Sequence, residues 1–133
     1  MKRILVFSDS HGSVYYMKQA LAMHPDAEVV FFLGDGLEEA DILAAGDSQR
    51  CWIAVRGNCD FYSVFRGGTA KKTERITLMG YTVSATHGDL YGVKYGTEGI
   101  ACLARESGSD IILFGHTHKP FEKYVSDGDK PFY

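Results

Sequence analysis

Five short apolar runs, each followed closely by a residue that can bind metal, constrain the fold of this chain more than any other feature. The runs span residues 4–7, 29–33, 52–55, 82–86 and 111–114. Continuous runs of β-branched and aromatic residues of this length are typical of strands buried on both faces of a sheet. Because open α/β sheets bind ligands at the carboxyl ends of their strands, we expect the polar residues that follow to meet in one crevice.

The polar residues that follow these runs are carboxylates, an amide and imidazoles. Residues two apart in extended backbone point the same way, so Asp9 and His11 would share one side of the chain, as would His116 and His118. The set is too large for one ion and suits two ions about 3.5–4 Å apart that share a carboxylate, an arrangement that clamps a transferring phosphoryl group. Its members are Asp9, His11, Asp35, Asn58, His87, His116 and His118.

Each of these residues, taken alone, has a structural explanation that is at least as common. An aspartate at a strand end often caps a helix or forms a turn, Asn58 could be a turn residue, and an isolated histidine usually lies in the core or at the surface. These explanations fail for the set as a whole, because four of the five histidines lie at strand ends.

Length and composition favour one soluble globular domain over residues 1–133. Of these 133 residues, 45% are hydrophobic and 23% are charged, which suffices for one core but not for two. The formal net charge of −3 gives no strong nucleic-acid signal, since domains that bind nucleic acids are usually basic. No apolar run approaches the roughly 18 residues of a membrane span, and the first run is too short for a signal peptide.

The three cysteines favour a reducing compartment, and we therefore expect the protein in the cytoplasm. The odd number and the spacing of Cys51, Cys59 and Cys102 suit reduced thiols better than a disulfide framework or a zinc site. We expect them to be small buried hydrophobic residues, with Cys59 set apart by its neighbours.

Turn and capping residues divide the chain into alternating strands and helices, which indicates an α/β fold with a largely parallel sheet covered by helices. Ser13 is expected to cap a first helix that Pro25 closes. A second helix is expected over Glu38–Ala45, ending at Gly46. A third is expected from Thr97 to about 106.

The remaining segments are expected to be strands and loops. Alternation over 73–86 around Met79-Gly80 predicts a hairpin, and a final strand is expected near 121–125. The Gly-rich segment 66–75 carries Arg66, Lys71, Lys72 and Arg75. It is expected to be a solvated loop, with a role in steering substrate as the alternative.

Five motifs in order resemble those of the calcineurin-like metallophosphoesterases. Within that superfamily they are most similar to the small bacterial and archaeal phosphodiesterase branch that includes the retromer scaffold subunit. The resemblance covers Met1 to about Val125 and implies a β-sandwich of two sheets flanked by α-helices. The motifs are Asp9-Ser10-His11-Gly12, Leu33-Gly34-Asp35, Arg56-Gly57-Asn58-Cys59-Asp60, Thr86-His87-Gly88 and Gly115-His116-Thr117-His118.

The resemblance also implies a phosphate-ester substrate and two divalent metal ions, with manganese commonest and iron, nickel or zinc as alternatives. A bridging hydroxide would attack phosphorus in line with the leaving group. Asn58, His87 and His116 would be the catalytic residues beside the second ion. Asp60 and Ser10 would either fix the orientation of the imidazoles or be ordinary turn residues. One ion would be held by Asp9, His11, Asp35 and His118, and the other by the shared Asp35 with Asn58, His87 and His116.

The sequence departs from this family in three places. Cys59 replaces a histidine that protonates the leaving group in many phosphatases, and a thiol is a poor acid, which favours diesters or aryl esters with good leaving groups. Asp89 stands where relatives usually carry another histidine. The turn and strands that follow the last motif in relatives are missing, so the C-terminal strands are expected to be short or absent. The uncovered apolar surface would then favour a homo-oligomer.

Features of the sequence distinguish hydrolysis from three other functions. A non-catalytic scaffold that keeps the fold for protein binding, like the retromer subunit, would be favoured by lost ligands, and this sequence has lost none. A nuclease would be expected to carry a large basic surface. A Rossmann nucleotide-binding protein is excluded because no G-x-G-x-x-G follows the first strand.

Overall fold

A computed structural model describes residues 2–133 as four layers, in the order helices, sheet, sheet, helix. The first sheet contains three parallel strands, and helices α1 and α2 cover its outer face. The second contains β6, β7 and β8, with β6 antiparallel and β8 parallel to β7, and helix α3 covers its outer face. The elements of the first half are β1 (Arg3–Phe7), α1 (Tyr15–Met23), β2 (Ala27–Phe32), α2 (Leu37–Ala45) and β3 (Cys51–Ala54). Those of the second are β4 (Val64–Phe65), β5 (Gly68–Thr69), β6 (Thr73–Leu78), β7 (Tyr81–Thr86), α3 (Glu98–Ser107) and β8 (Ile111–Leu113).

Strand β2 shows why the apolar runs are continuous. Successive side chains of a strand point to opposite faces. Val29 and Phe31 pack between the two sheets, while Val30 and Phe32 pack against α1 and α2. All four are at least 96% buried, so both faces of β2 lie in the core, as the sequence predicted. The expected α/β sandwich of two sheets flanked by helices is confirmed.

Strand β1 differs from this expectation. Among the described strands it pairs with β2 alone, and one of its faces is open: Ile4 is 38% exposed and Val6 is 45% exposed. Val6 lines an apolar groove that continues to Phe114 and Phe121, and Phe121 is 55% exposed. The expectation that β1 is buried on both faces was therefore wrong, whereas the expected uncovered apolar surface is present.

The predicted helices form with one different start. Helix α1 begins after Val14, whose carbonyl accepts from Lys18 N, so the predicted cap at Ser13 is wrong. Ser13 N instead donates to Ser10 O at 3.1 Å and closes a turn. Helix α2 ends at Gly46, and α3 begins after Thr97, as expected.

The strands after β3 differ more from expectation. The hairpin over 73–86 is confirmed, with Met79 and Gly80 both at positive φ in its tight turn. Residues 64–69, which overlap the expected loop, form a short two-stranded ribbon. The strand expected near 121–125 does not form: residues 114–133 contain a single isolated bridge, between Val125 and Phe132. Here no neighbouring strand supports a regular ladder.

The cysteines are placed differently from expectation, since Cys51, Cys59 and Cys102 are all exposed free thiols rather than buried residues. Cys51 is the first residue of β3, Cys59 lies in the loop between β3 and β4, and Cys102 lies on α3, positions whose exposure apolar periodicity does not report. Among residues 2–133, no helix is both long enough and apolar enough to cross a membrane.

Candidate metal centre

The carboxyl ends of five strands meet at one edge of the sandwich. Backbone hydrogen bonds join their loops: Asp9 N donates to Gly34 O at 2.9 Å, and Gly115 N donates to His87 O at 2.9 Å. His116 N donates to Asp9 Oδ2 at 3.0 Å and so links the two sheets. The loop after β1 carries Asp9 and His11, the loop after β2 carries Asp35, and the loop after β3 carries Asn58. The loop after β7 carries His87, and the loop after β8 carries His116 and His118.

The backbone at these loops is unusual. Seven non-glycine residues among residues 2–133 have positive φ, and five of them belong to the predicted site. The left-handed conformation costs an L-residue roughly 1–2 kcal/mol, although Asp, Asn and His tolerate it better than most. Such outliers persist only where the surrounding structure over-determines them, and they cluster at functional sites. The five are Asp9 (56°), His11 (45°), Asp35 (61°), His116 (71°) and His118 (57°).

One group of ligand atoms surrounds Asp9. His118 Nε2 lies 3.2 Å from Asp9 Oδ1, and His11 Nε2 lies 3.6 Å from the same oxygen. The two imidazole nitrogens are 3.3 Å apart. Ligand atoms of all three side chains thus lie within 4.8 Å of one another, close enough to share one cation.

A second group surrounds Asp35, which is almost fully buried. His87 Nε2 lies 3.2 Å from Asp35 Oδ2 and 3.1 Å from His116 Nδ1. His87 Nδ1 is 2.7 Å from the Leu33 carbonyl, which can only accept, so this nitrogen carries the proton. In the neutral ring the lone pair of Nε2 therefore faces Asp35. Because His11 Nε2 lies 3.9 Å from the same carboxylate oxygen, Asp35 stands between the two groups.

An orphaned oxygen tests whether this donor set suits metal. Asp9 Oδ1 is buried and accepts no hydrogen bond from residues 2–133, although the Nε2 atoms of His118, His11 and His87 lie within 3.7 Å. A buried carboxylate oxygen without a partner is costly. A cation among these atoms would remove that cost. Carboxylate and imidazole donors suit manganese, iron, nickel or zinc, so the residues present fit divalent cations.

Two glycines allow the Asp35 loop to approach the Asn58 loop. A Cβ on Gly34 would lie 2.5 Å from Gly57 N, and a Cβ on Gly57 would lie 2.2 Å from Asp35 Oδ1. Real Cβ atoms essentially never come so close to neighbouring atoms. Both glycines are therefore required by backbone-to-backbone packing beneath Asp35.

Asp60 fastens the same two loops through its carboxylate. Its Oδ2 accepts from Asp35 N and Gly57 N, each at 2.8 Å. Its Oδ1 accepts from Gly36 N at 2.8 Å and Leu37 N at 2.9 Å. Gly36, the N-cap of α2, has no side chain to cap these donors, so Asp60 caps the helix from a distant loop.

Burial, hydrogen bonds and nearby charges shift the pKa values of Asp9 and His116. Burial raises the pKa of Asp9, but hydrogen bonds from Ser8 and His116 N and the nearby His87 and His118 outweigh it, and the pKa lies below its usual value. Burial lowers the pKa of His116, and His87 and Lys94 lower it further. Asp9 is thus kept ionised and His116 neutral, the protonation states that metal binding requires.

The sequence of residues 1–130 matches the calcineurin-like phosphoesterase superfamily domain. The chain belongs to the calcineurin-like phosphoesterase superfamily. It is 31% identical over 115 residues to the probable metallophosphoesterase YsnB of Bacillus subtilis, covering 86% of this chain and 63% of that protein.

Two further relatives represent different functions. A predicted phosphoesterase of Streptococcus pneumoniae has a similar structure, with a TM-score of 0.73 and 27% identity over 97% of this chain and 68% of that one. Vacuolar protein sorting-associated protein 29 of Schizosaccharomyces pombe is 43% identical over 54 residues, 41% of this chain and 28% of that protein. The chain spans less than two thirds of the length of the curated relatives it matches.

Asn58 and Cys59 are exposed neighbours in the loop after β3 of this phosphoesterase-family chain. Asn58 is exposed, and its side-chain nitrogen contacts Cys59 Sγ at 3.5 Å, so its place among the ligands stays a prediction. Cys59 Sγ lies within 4.8 Å of ligand atoms of His11 and Asp35, a third group that the motif comparison did not include. Partial desolvation and the carboxylates of Asp35, Asp60 and Asp9 raise the pKa of the Cys59 thiol. No spacing rule in the sequence indicated this thiol as a ligand.

Proposed function

We propose that this chain is a metal-dependent phosphodiesterase with a centre for two divalent cations. The observation that carries the proposal is the pair of opposed imidazoles on each side of Asp9 and Asp35, with nitrogens 3.3 Å and 3.1 Å apart. One cation is assigned to Asp9, His11, Asp35 and His118, and the other to Asp35, Asn58, His87 and His116. Manganese is the first candidate, with iron, nickel and zinc as alternatives.

The bound cations would supply positive charge for the phosphate oxygens and lower the pKa of water so that it can act as a nucleophile near neutral pH. The chain's own residues fix the geometry of this centre. The Leu33 carbonyl holds the His87 ring in one tautomer and orientation. The Ser8 hydroxyl and His116 N hold Asp9 Oδ2, so that Oδ1 faces the centre. Asn58 and His87 are assigned to orient the substrate phosphate, and His116 to stabilise its charge.

Turnover by metal-stripped protein, with single metals added back, tests the proposal. The panel would contain bis-p-nitrophenyl phosphate, p-nitrophenyl phosphate and alkyl esters of each class. We expect activity to return with manganese and to be higher on the diester than on the monoester. Failure of every added metal to restore turnover on any ester would overturn the proposal.

Cys59→His is expected to extend activity to monoesters with poor leaving groups. A thiol with a raised pKa donates a proton poorly, whereas a positioned imidazole acid contributes about 100-fold or more. The measurement is the dependence of kcat/KM on leaving-group pKa over substituted phenyl phosphates, which should become shallower. Cys102→His, at an exposed cysteine of α3, is the matched control. An unchanged dependence in Cys59→His would contradict a role in proton donation.

A protein-binding scaffold is the second candidate function. The observation that favours it is the similarity to vacuolar protein sorting-associated protein 29, together with the open apolar face of β1. The two functions make different predictions for Asp9 and Asp35. A scaffold would tolerate their substitution, whereas a hydrolase would lose its activity.

Self-association through the open face of β1 is a further prediction. Val6 lines two clefts: the groove with Phe114 and Phe121 contains none of the proposed metal ligands, whereas the other includes Asp9 and His118. Association is therefore measured on metal-free protein. Val6→Lys is expected to shift a concentration-dependent dimer toward monomer in sedimentation velocity, because a charge replaces exposed apolar surface on a free strand edge. Ile42→Lys, at an exposed apolar residue of α2, should leave the distribution unchanged. A wild-type protein that stays monomeric at high concentration would refute the prediction.

A further inference from the structure

A cleft of about 340 Å³ opens directly beside the proposed metal centre, next to Cys59. It includes His11 and Asp35 on its inner side, so a group bound there would be adjacent to a phosphate at the centre. The outer side is formed by the start of α2 and by the two residues that follow Asp60. The position suits one ester substituent of a phosphodiester, the part of the substrate that the metal ligands do not recognise.

Two aromatic side chains line the outer side of this cleft without being part of any core. Phe61 is 95% exposed and Tyr62 is 78% exposed. Neither packs into the three buried clusters of the described residues. Other aromatic side chains of this protein, such as Tyr95 and Tyr16, are as exposed, so exposure alone indicates no role. Phe61 and Tyr62 differ in lining a cleft that adjoins the proposed centre, and aromatic faces are the usual means of binding an ammonium or quaternary ammonium group.

The charge of the cleft points to the same class of ligand. Its ionisable side chains are carboxylates apart from His11, Cys59 and Tyr62, and it is lined by no lysine or arginine among residues 2–133. Asp35 and Asp60 are engaged by the centre and by backbone N–H groups. Glu38 is exposed and forms no ion pair within the described residues, so its charge is available to a ligand.

At Thr117, between His116 and His118, a second cleft has the reverse charge. It is lined by Lys94 and Lys119 together with Thr117, and by no carboxylate of the described residues. The acidic aromatic cleft and this basic cleft thus both include residues of loops that carry proposed ligands. This asymmetry would orient a substrate that carries a cation on one side of its phosphate.

The position of Glu39 has a structural explanation that does not involve a ligand. Its Oε1 accepts a hydrogen bond from Gly12 N, and both glutamates lie in the first turn of α2, where negative charge stabilises a helix. This accounts for Glu39. It does not account for the two exposed aromatic side chains beside it, or for the absence of basic residues from the cleft walls.

We propose that the cleft binds a cationic, ammonium-bearing substituent of a phosphodiester, with Phe61 and Tyr62 supplying aromatic faces and Glu38 the main counter-charge. The inference rests on the proposed phosphodiesterase function and names its substrate class. An anionic substituent, such as a second phosphate, would be disfavoured in the same cleft. A neutral aryl substituent would gain only the aromatic contact.

Binding of two matched esters to the full chain tests this proposal without requiring turnover. The probes are the choline and 3,3-dimethylbutyl esters of methylphosphonate, which have the same shape and the same phosphonate charge but differ in the cation. Calorimetric titration of manganese-loaded protein is expected to give about tenfold tighter binding of the choline ester. Equal affinities would overturn the proposal.

Variants locate the preference in the cleft. Phe61→Leu keeps an apolar side chain but removes the aromatic face, and Glu38→Gln removes the charge. Each is expected to reduce the choline preference from about tenfold to about threefold. Tyr81→Leu, on the β6–β7 hairpin, and Glu28→Gln, at the start of β2, are controls at the opposite strand ends and should keep it. A preference that survives Phe61→Leu and Glu38→Gln would overturn the assignment to this cleft.

Turnover separates this proposal from the proposed function. The substrates are the p-nitrophenyl phosphodiesters of choline and of 3,3-dimethylbutanol. Hydrolysis of both at equal kcat/KM would overturn the cleft proposal but support the phosphodiesterase function. If no diester is hydrolysed but the choline ester binds about tenfold more tightly, the cleft proposal is supported and the phosphodiesterase assignment is overturned. Binding of neither ester to metal-loaded protein would overturn the cleft proposal, and turnover alone would then decide the phosphodiesterase assignment.

Discussion

Asp35→Asn is expected to lower turnover of bis-p-nitrophenyl phosphate by about a thousandfold. Asp35 lies between the two imidazole groups, with Oδ2 3.2 Å from His87 Nε2 and 3.9 Å from His11 Nε2, and it is the carboxylate assigned to both cations. An amide keeps the shape of the side chain but removes the negative charge that two adjacent cations would share. The loss should therefore appear in kcat as well as in metal affinity.

A stability measurement separates lost chemistry from lost folding in Asp35→Asn. A metal that binds only the folded state increases the free energy of unfolding by about 2.7 kcal/mol at 100 times its Kd, and the melting temperature rises accordingly. We expect wild-type protein to show this rise with manganese and Asp35→Asn to show little of it, with similar melting temperatures when no metal is added. Asp26→Asn, at an exposed residue paired with Arg3, is the control. Unchanged turnover in Asp35→Asn would mean that the pocket is incidental.

The layers of the fold could be predicted because hydrophobic periodicity reports burial. The run over 29–33 predicted a strand with two buried faces, and β2 is such a strand. The same rule failed at β1, because a free edge and an open face depend on which strands pair beside it. The strand expected near 121–125 failed for the same reason, since Phe121 has apolar character but no ladder partner.

Six of the seven ligand-type residues selected from the sequence lie close together in the structure, in two groups linked by Asp35, but how they are held could not be predicted. Ligand-type residues at strand ends were enough to select Asp9 and His116. Their left-handed backbone was not predictable, because local propensity disfavours it and only the surrounding contacts impose it. The same limit applies to Cys59, whose proximity to His11 arises from the meeting of two loops distant in the sequence.

The role of Asp60 also depends on contacts that no local pattern reports. The motif suggested a residue that supports imidazoles, with an ordinary turn residue as the alternative. In the structure its carboxylate instead accepts four backbone N–H groups, from the Asp35 loop, the start of α2 and Gly57. Asp60 therefore sets the distance between the loops that carry Asp35 and Asn58.

Asp60→Ala is expected to lower the free energy of unfolding by about 3 kcal/mol and activity by about 100-fold. Four backbone donors lose their acceptor, and water can replace only some of the bonds because the site is half-buried. Urea denaturation without metal measures the first effect, and kcat/KM with manganese measures the second.

Matched variants distinguish this role from a general cost of removing an aspartate. Asp60→Asn keeps one oxygen that can accept two of the bonds, while its amide group faces the other two donors, so its effect should be intermediate. Asp26→Ala removes an exposed carboxylate and should change the free energy of unfolding by less than about 1 kcal/mol. If Asp60→Ala kept both wild-type stability and wild-type metal affinity, the loops would be held by contacts other than this carboxylate.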